Sequence, residues 1–353
     1  MAFASGYFKT SYSADLALVE TRSRWVCLIL LIVGAVIFPF IASAFLLDIA
    51  NQIFLAFIGA IALMLLTGYA GLISLGHAGL IAAGAFTTAI LFKEVHAPIY
   101  VTLPASGLVG ALLGVIIGLP SLRLKGLYLA LSTLALHFIV IYLGAEYESP
   151  RSYATGVLID SPSLGPLLIE DPRIWYVLLF IVDVFLIIFA INIVRTRTGR
   201  AWIAIRDRDV AAEALGIKLA RAKLSAFVTC SVITSIAGCL FAYYRGFVSV
   251  EAFNLFMSIE YIAMIIIGGI GTILGAVFGT IFVVVLPYAI DWFVDFFQVP
   301  TRFTTYIFAL KFAAFGLIMI IFLVQEPNGL VGIWKRIRDY FILWPFKYKA
   351  LGR

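Results

Sequence analysis

The chain contains 44 consecutive residues without a formal charge, from Ile49 to Phe92. As a single α-helix this run would be roughly 66 Å long, about twice the 30 Å of hydrocarbon in a bilayer. We therefore expect it to cross a membrane twice, with a break near Thr67–Gly79. The 353-residue chain is 63% hydrophobic and 12% charged, which leaves too little polar surface for a soluble globule. The expected fold class is an all-α polytopic membrane protein.

Further apolar runs predict further membrane spans, since about 20 apolar residues suffice for one crossing. Single crossings are expected over Trp25–Leu47, Ala97–Leu122, Gly126–Ala145, Ile174–Val194, Leu224–Tyr244 and Phe303–Val324. The sequence GGIGT at Gly268–Thr272 interrupts the run Ile259–Ile290, which predicts either two crossings or a re-entrant helix followed by a span. In total we expect about nine or ten transmembrane segments, some of them broken or re-entrant.

The positions of lysine and arginine predict which loops face the cytoplasm. The connection 195–223 holds eight Lys or Arg residues, whereas Glu146–Arg173 holds five acidic residues and two arginines. We expect the first to be cytoplasmic and the second external, with both termini inside. The chain then divides into a cytoplasmic N-terminal tail (1–24), a transmembrane domain (25–324) and a cytoplasmic amphipathic tail (325–353) that lies along the membrane surface. The formal charge of +6 fits this distribution, so we expect contact with the lipid bilayer and no nucleic-acid partner.

Motifs for enzymatic chemistry are absent from the sequence. There is no GxxxxGK[ST] phosphate-binding loop, HExxH or GxSxG motif, and the three histidines are scattered. The three cysteines lie in apolar segments without a CxxC pair. We expect no catalytic residues, metal or cofactor in this chain, and any ATP hydrolysis must come from another subunit.

Two glycine-rich stretches lie in opposite halves of the chain. Paired glycine interruptions of hydrophobic segments indicate a transport pathway built from broken helices, whereas small residues also serve close helix packing. Both interpretations stay open, and the candidate pathway or hinge residues are Gly68, Gly71, Ser74, Gly76, His77, Gly268, Gly269, Gly271, Thr272 and Gly275. His77 is either an interior histidine or part of a proton relay. Asp183 and Lys311 are charges inside predicted spans, which are costly and by default functional or paired, and the two are candidates to pair with each other.

The run Thr198–Gly216, TGRAWIAIRDRDVAAEALG, is strongly charged between two predicted spans. Ala201–Ile205 forms an apolar face, and Gly216 is a C-terminal stop for a helix through Val210–Leu215. The pattern predicts a short helix outside the membrane, apolar on one side. It serves either as a positive-inside topology signal or as a surface for a cytoplasmic partner.

Five blocks of the sequence resemble the membrane subunit of bacterial branched-chain amino-acid ABC importers. In chain order, the blocks are Gly68–Phe86, Lys125–Leu136, Thr198–Ile217, Gly268–Gly279 and Glu326–Tyr340. The resemblance implies the ABC importer permease fold in the bacterial inner membrane. It also implies a second permease subunit, forming a heterodimer, two cytoplasmic ATP-binding subunits that carry ATP and Mg, and a solute-binding protein outside.

In such importers a short cytoplasmic coupling helix docks on the ATPase, and the resemblance places it in the loop 195–223. The implied coupling residues are Gly199, Arg200, Ala201, Arg206, Asp207, Glu213 and Gly216. The family consensus has Glu-Ala-Ala followed by glycine, whereas here the order is Ala212-Glu213-Ala214. The implied cargo is a branched-chain amino acid, with urea, amides or another small organic solute as alternatives. A stand-alone channel or secondary transporter, with ions carried by Asp183, Lys311 and His77, is the hypothesis from a different class.

Overall fold

The computed structural model describes residues 22–122, 124, 126–149, 156–164, 167–296, 304–326 and 328–343. Almost all of this part of the chain is helical. The helices of the first half are α1 (Arg22–Ile41), α2 (Ala44–Leu63), α3 (His77–Val95), α4 (Ile99–Ser121), α5 (Leu127–Glu148) and α6 (Pro172–Arg195). Those of the second half are α7 (Arg197–Asp207), α8 (Asp209–Ala214), α9 (Leu219–Arg245), α10 (Leu255–Gly268), α11 (Ile273–Phe296), α12 (Thr304–Gln325) and α13 (Gly329–Leu343).

Short irregular elements connect the helices. A π-helical segment, Met64–Tyr69, continues α2, and a 3₁₀ turn, Val250–Phe253, precedes α10. The strands are β1 (Val157–Leu158), β2 (Ser163–Leu164), β3 (Leu167–Leu168) and β4 (Phe247–Val248). β1 pairs with β4 and β2 pairs with β3, both antiparallel.

Seven helices in the described part of the chain are long and apolar enough to cross a membrane. They are Ala44–Tyr69, His77–Val95, Ile99–Ser121, Leu127–Glu148, Pro172–Arg195, Leu219–Arg245 and Ile273–Trp292. Shorter apolar helices cover Ile29–Ile41 and Leu255–Gly268, and α12 adds a further helix of 22 residues. The prediction of an all-α polytopic membrane protein is confirmed, and the nine or ten segments expected are reached when the two shorter helices and α12 are counted with the seven.

Helix α9 lies at the centre of the bundle and packs most extensively against α4 and α3. Small residues let the backbones approach: a Cβ on Gly114 of α4 would lie 2.9 Å from the Cα of Val228 in α9. Gly84 of α3 likewise packs directly against the backbone of Ser235. Lipid offers no hydrophobic drive for helix association, so close contact of small residues supplies much of the attraction.

The bundle has two distinct ends. The connection 196–218, with α7 and α8, lies at one end, which we call the loop face. The sheet of β1 and β4, with Val157 opposite Val248, lies where α9 leaves the other end, which we call the sheet face. Helix α6 therefore runs toward the loop face, and α9 runs back to the sheet face.

The first predicted span, Trp25–Leu47, is wrong at its end. Helix α1 stops at Ile41, and Ser43 caps a new helix, its side chain accepting a hydrogen bond from the Leu46 amide. The sequence prediction placed a boundary at the charge of Asp48, but this carboxylate lies inside α2. It accepts hydrogen bonds from Gln52 at 2.7 Å and from the Tyr244 hydroxyl. A charge with hydrogen-bond partners is compatible with a helix interior, so the charge does not mark the end of the span.

Candidate functional site

The predicted break in the run Ile49–Phe92 is present. Helical structure ends with the π segment at Tyr69, residues 70–76 are not helical, and α3 begins at His77. The Thr67 hydroxyl donates to the Leu72 carbonyl at 3.0 Å, and the Leu75 amide donates to the Thr133 hydroxyl at 2.9 Å. Non-helical backbone among apolar helices requires such partners, because lipid supplies none.

The second glycine stretch forms a tight turn between α10 and α11. Its backbone is left-handed at Gly269 (φ 122°) and at Gly271 (φ 80°). The Thr272 hydroxyl donates to the Gly269 carbonyl at 3.0 Å and accepts from the Gly275 amide at 3.1 Å. Gly268 and Gly275 lie backbone to backbone, with no room for a side chain at Gly268. The predicted interruption of Ile259–Ile290 is therefore a helix hairpin.

Arg206, near the end of α7, contacts both glycine breaks. Its Nη1 donates to the Gly68 carbonyl at 2.7 Å. A Cβ on Gly71, where φ is 70°, would lie 2.8 Å from the Arg206 Cγ, and one on Gly271 would lie 3.0 Å from Nη1. The Gly271 amide in turn points at the Met64 sulfur, 3.2 Å away. The structure thus brings together residues from three of the sequence blocks that are far apart in the chain.

The rest of α7 is held firmly on the bundle. Trp202 is 1% exposed, and its indole N–H donates to the Ser225 hydroxyl of α9 at 3.0 Å. Ile205 is buried, and Gly199 packs against the backbone of Ile193 and Val194 at the end of α6. Because α7 touches α6, α9 and the π segment together, a displacement of α7 must move these elements or break the contacts.

Three further predicted coupling residues, Arg200, Ala201 and Asp207, also lie on α7. Arg200 is exposed and donates to the Arg195 carbonyl at 2.6 Å, and Ala201 is half-buried. Asp207 is exposed and forms an ion pair with Arg206 at 3.1 Å. These contacts keep the end of α7 polar on its outer side.

Helix α8 is a separate element, which corrects the expectation of one short helix in this loop. Arg208 adopts an extended conformation (φ −158°, ψ 107°) between α7 and α8, so the chain turns there. Ala212 is buried, whereas Val210 is 73% exposed and Leu215 is 83% exposed. Glu213 is also exposed, and Gly216 (φ 87°) ends the helix as predicted. Two exposed apolar side chains therefore project from the loop face, and neither is among the predicted coupling residues.

A cleft of about 500 Å³ opens beside Arg206. It lies between the broken segment after the π helix and the end of α7, and Gly71, Ile73, Arg208 and Lys223 are among its lining residues. Three of the basic residues of the connection, Arg206, Arg208 and Lys223, border this cleft. The cleft separates the Gly71 segment from the N-terminal end of α8.

His77, Ser74 and Gly76 are buried where α3 begins. The His77 ring contacts the ring of Tyr261 of α10, with ring centroids 4.7 Å apart and the ring planes tilted by 60°. Neither ring nitrogen makes a hydrogen bond of ordinary geometry with a described residue. Gly76 packs directly against the Thr133 carbonyl, and Ser74 is fully enclosed. His77 is thus a buried residue in aromatic contact with Tyr261, and its part in a proton relay stays a prediction.

The charges predicted inside spans are only partly described. Asp183 of α6 is 4% exposed, and its Oδ1 has no hydrogen-bond partner among the described residues. The backbone of Lys311 lies in α12, but its side chain is outside the described residues, so the suggested pairing with Asp183 stays a prediction. The described part of the chain contains no group of three or more His, Cys, Asp or Glu side chains that could hold a metal ion.

A second cavity, of about 520 Å³, was missed by sequence reasoning. It lies between α2, α9, α10 and α11, and its walls are mostly apolar, including Leu55, Met257 and Met264. Glu260 and Arg245 are its ionisable lining residues besides Tyr261. A signal for it exists in the sequence, because Glu260 is the only charged residue between Leu255 and Ile290.

Comparison with known proteins gives one family and two curated relatives. Residues 45–324 match the family described as the permease component of branched-chain amino acid transport systems. The chain is 30% identical over 277 residues to the high-affinity branched-chain amino acid transport system permease protein LivM of Salmonella typhimurium and to that of Escherichia coli. Each match covers 72% of this chain and 65% of the relative, so the chain matches slightly less than two thirds of each relative's length. No solved structure matches.

Proposed function

This chain belongs to the permease family of branched-chain amino-acid transport systems, and we propose that it is the transmembrane subunit of an ATP-driven importer. In this role it contributes the pathway by which branched-chain amino acids cross the bacterial inner membrane. The loop face is cytoplasmic, in keeping with the eight basic residues of 195–223, and both termini lie on that side.

The chain works in a complex. Two cytoplasmic ATP-binding subunits bind ATP and Mg and supply the energy, because this sequence has no phosphate-binding loop. A second permease subunit, similar to this one, completes the pathway as a heterodimer. A solute-binding protein delivers the amino acid at the sheet face.

The observation that carries the proposal is the position of Arg206 against both glycine breaks. The loop 195–223, with α7 and α8, is the coupling loop, and its exposed residues on α8 meet the ATP-binding subunit. When that subunit closes around ATP, α7 is displaced, and Arg206 transmits the displacement to the Gly68 carbonyl and to the turn at Gly271. Glycine breaks serve as hinges because backbone without regular helical hydrogen bonds changes its dihedral angles at low cost.

The hinge residues Gly68, Gly71, Gly268, Gly269 and Gly275 then let α2, α3, α10 and α11 tilt. Ser74, Gly76, His77 and Thr272 hold the ends of these helices in register. Alternate tilting exposes the pathway to one side of the membrane and then to the other, as in other transporters with broken helices. The two interpretations of the glycines, packing and hinge, are compatible here because the same small residues do both.

Transport by reconstituted complexes tests this proposal. The chain is co-purified with its sister permease and ATP-binding subunits, inserted in proteoliposomes with the solute-binding protein, and given labelled L-leucine. We expect uptake that requires ATP on the loop-face side and is lost when a Gly-Ser linker replaces 208–216. ATP hydrolysis that still responds to the loaded binding protein after this replacement would show that the coupling assignment is wrong.

Flux by the chain alone separates this proposal from a stand-alone channel or secondary transporter. Proteoliposomes that contain the purified chain without partners should show no leucine uptake above empty vesicles, with or without an ion gradient. Gradient-driven uptake in these vesicles would favour the second class and contradict an ATP-dependent role.

A further inference from the structure

The cavity between α2, α9, α10 and α11 has the size and lining of a small-molecule site. Its volume of about 520 Å³ lies within the range of roughly 300–1,000 Å³ usual for such pockets. Leu55, Met257, Met264 and Phe315 are among its apolar walls, and Gln52 and Asn254 add polar groups. A mostly apolar pocket with few polar groups suits a ligand that is apolar at one end and polar at the other.

Glu260 is the feature of this cavity that needs explanation. It lies in the middle of α10, in a sequence of apolar residues, and its side chain is partly buried in the cavity wall. No hydrogen bond or ion pair joins its carboxylate to another described residue. A carboxylate withdrawn from water without a partner is costly, and an ionisable group inside a membrane protein is by default functional. A cation that enters the cavity would supply the missing partner.

Of the other polar residues that line the cavity, Gln52 is already hydrogen-bonded and Arg245 carries the opposite charge. Gln52 donates to Asp48 at 2.7 Å and accepts from the Tyr288 hydroxyl at 3.0 Å, so it is held in place by the protein. Arg245 is exposed, and its guanidinium carbon lies 5.6 Å from the centroid of the Phe241 ring. The cavity therefore presents one carboxylate and one guanidinium, and these are the groups that bind the two charged ends of a zwitterion.

We propose that this cavity is a solute-binding site within the chain itself, and that Glu260 binds the α-ammonium group of an aliphatic amino acid. The side chain of the solute lies against the apolar wall, and its carboxylate lies toward Arg245. The inference rests on the proposed function, which it deepens by assigning a site. It also separates amino acids from urea and neutral amides, because these lack a cation for Glu260 to bind.

Binding of labelled L-leucine to the full chain with its partner subunits, in lipid nanodiscs, tests the site. We expect Glu260→Gln to weaken leucine binding by about tenfold or more, since it removes a charge-assisted hydrogen bond at constant side-chain size. Glu251→Gln is the matched control, because Glu251 is an exposed carboxylate on the 3₁₀ turn just before α10 and lies outside the cavity. Leucine binding equal to wild type in Glu260→Gln overturns the proposal.

Two leucine fragments identify the contact. We expect 3-methylbutylamine, which keeps the ammonium group, to compete with leucine in the wild type and to lose this ability in Glu260→Gln. The ammonium-free 4-methylpentanoate should compete with leucine to the same extent in the wild type and in Glu260→Gln. Equal competition by the amine in both proteins contradicts an ammonium contact at Glu260.

A cavity-filling variant keeps the test decisive if Glu260→Gln lowers the yield of folded protein. Ala56 of α2 lines the cavity and is only half-buried, so Ala56→Phe should fill the space and abolish leucine binding. Leucine binding retained in Ala56→Phe excludes this cavity as the site.

If the wild type binds the amine through Glu260 but not leucine, the site stands and the cargo in the proposed function is wrong. If leucine is transported with an unchanged half-saturating concentration in Glu260→Gln, the function stands and the site is wrong.

Discussion

The side chain of Arg206 links parts of the chain that are distant in sequence. Its guanidinium reaches the Gly68 carbonyl, 138 positions away, and lies against Gly271. A hydrogen bond from a charged donor is worth about 1.5–3 kcal/mol, and the value here belongs at the lower end because the Arg206 side chain is 35% exposed. We expect Arg206→Gln to lower ATP-driven leucine uptake about tenfold, measured in proteoliposomes at equal amounts of inserted chain.

Arg197→Gln is the matched control for this substitution. Arg197 begins the same helix, carries the same charge and is exposed, and it contacts none of the charged residues described. Both variants lose one positive charge from the loop face, so both should insert in the membrane in the same orientation. Equal uptake by the two variants would mean that the contact with Gly68 does not transmit motion.

Helix α8 and the residue after it carry the exposed apolar side chains of the proposed coupling loop. Val210 and Leu215 are exposed apolar side chains outside the bundle, and few contacts of the chain depend on them. We expect Val210→Ser with Leu215→Ser to reduce the amount of ATP-binding subunit that co-purifies by tenfold or more, because the two substitutions remove apolar surface that docking would withdraw from water. The free energy of unfolding of the chain should change by less than about 0.5 kcal/mol, as for other exposed positions.

Leu158→Ser serves as the control for α8. Leu158 is 64% exposed on β1, at the sheet face, where no ATP-binding subunit is expected. Its substitution removes the same kind of exposed apolar side chain and should leave the co-purified ATP-binding subunit unchanged. Loss of the subunit in both variants would point to general destabilisation and contradict a docking role of α8.

The elements also show which parts of the structure a single sequence can specify. The run Ile49–Phe92 is too long for one helix, so length alone predicts two spans and the break between them. The end of α1 is not predictable in this way, because the uncharged Ser43 caps the next helix, α2, and the charged Asp48 lies inside α2. The contact of Arg206 with Gly68 is not predictable either, since a local sequence pattern carries no information on residue pairs 138 positions apart. The sequence therefore predicts which segments form the candidate site, but not the contacts between those segments.

The path of the chain through the bundle determines which segments lie at the same face. Helix α9 runs from the loop face to the sheet face. Helix α10 runs back to the loop face, because the turn between α10 and α11 contacts Arg206 there. Helix α11 leaves the loop face again, and α13 begins next to the same turn, where Gly329 packs directly on Gly269. The connection 195–223 and the start of the C-terminal tail thus lie at one end of the bundle, which agrees with the sidedness expected from the basic residues.

Labelling of single cysteines with a membrane-impermeant maleimide checks this arrangement in cells. Glu251→Cys at the sheet face should react in intact spheroplasts, whereas Arg197→Cys and Lys335→Cys should react only after the membrane is permeabilised. All three positions are exposed, so the difference reports sidedness and not burial. The background chain must lack the native cysteines Cys27, Cys230 and Cys239. Reaction of Arg197→Cys and Lys335→Cys from opposite sides of the membrane would contradict the even number of crossings between α7 and α13, and with it the position of the tail beside the coupling loop.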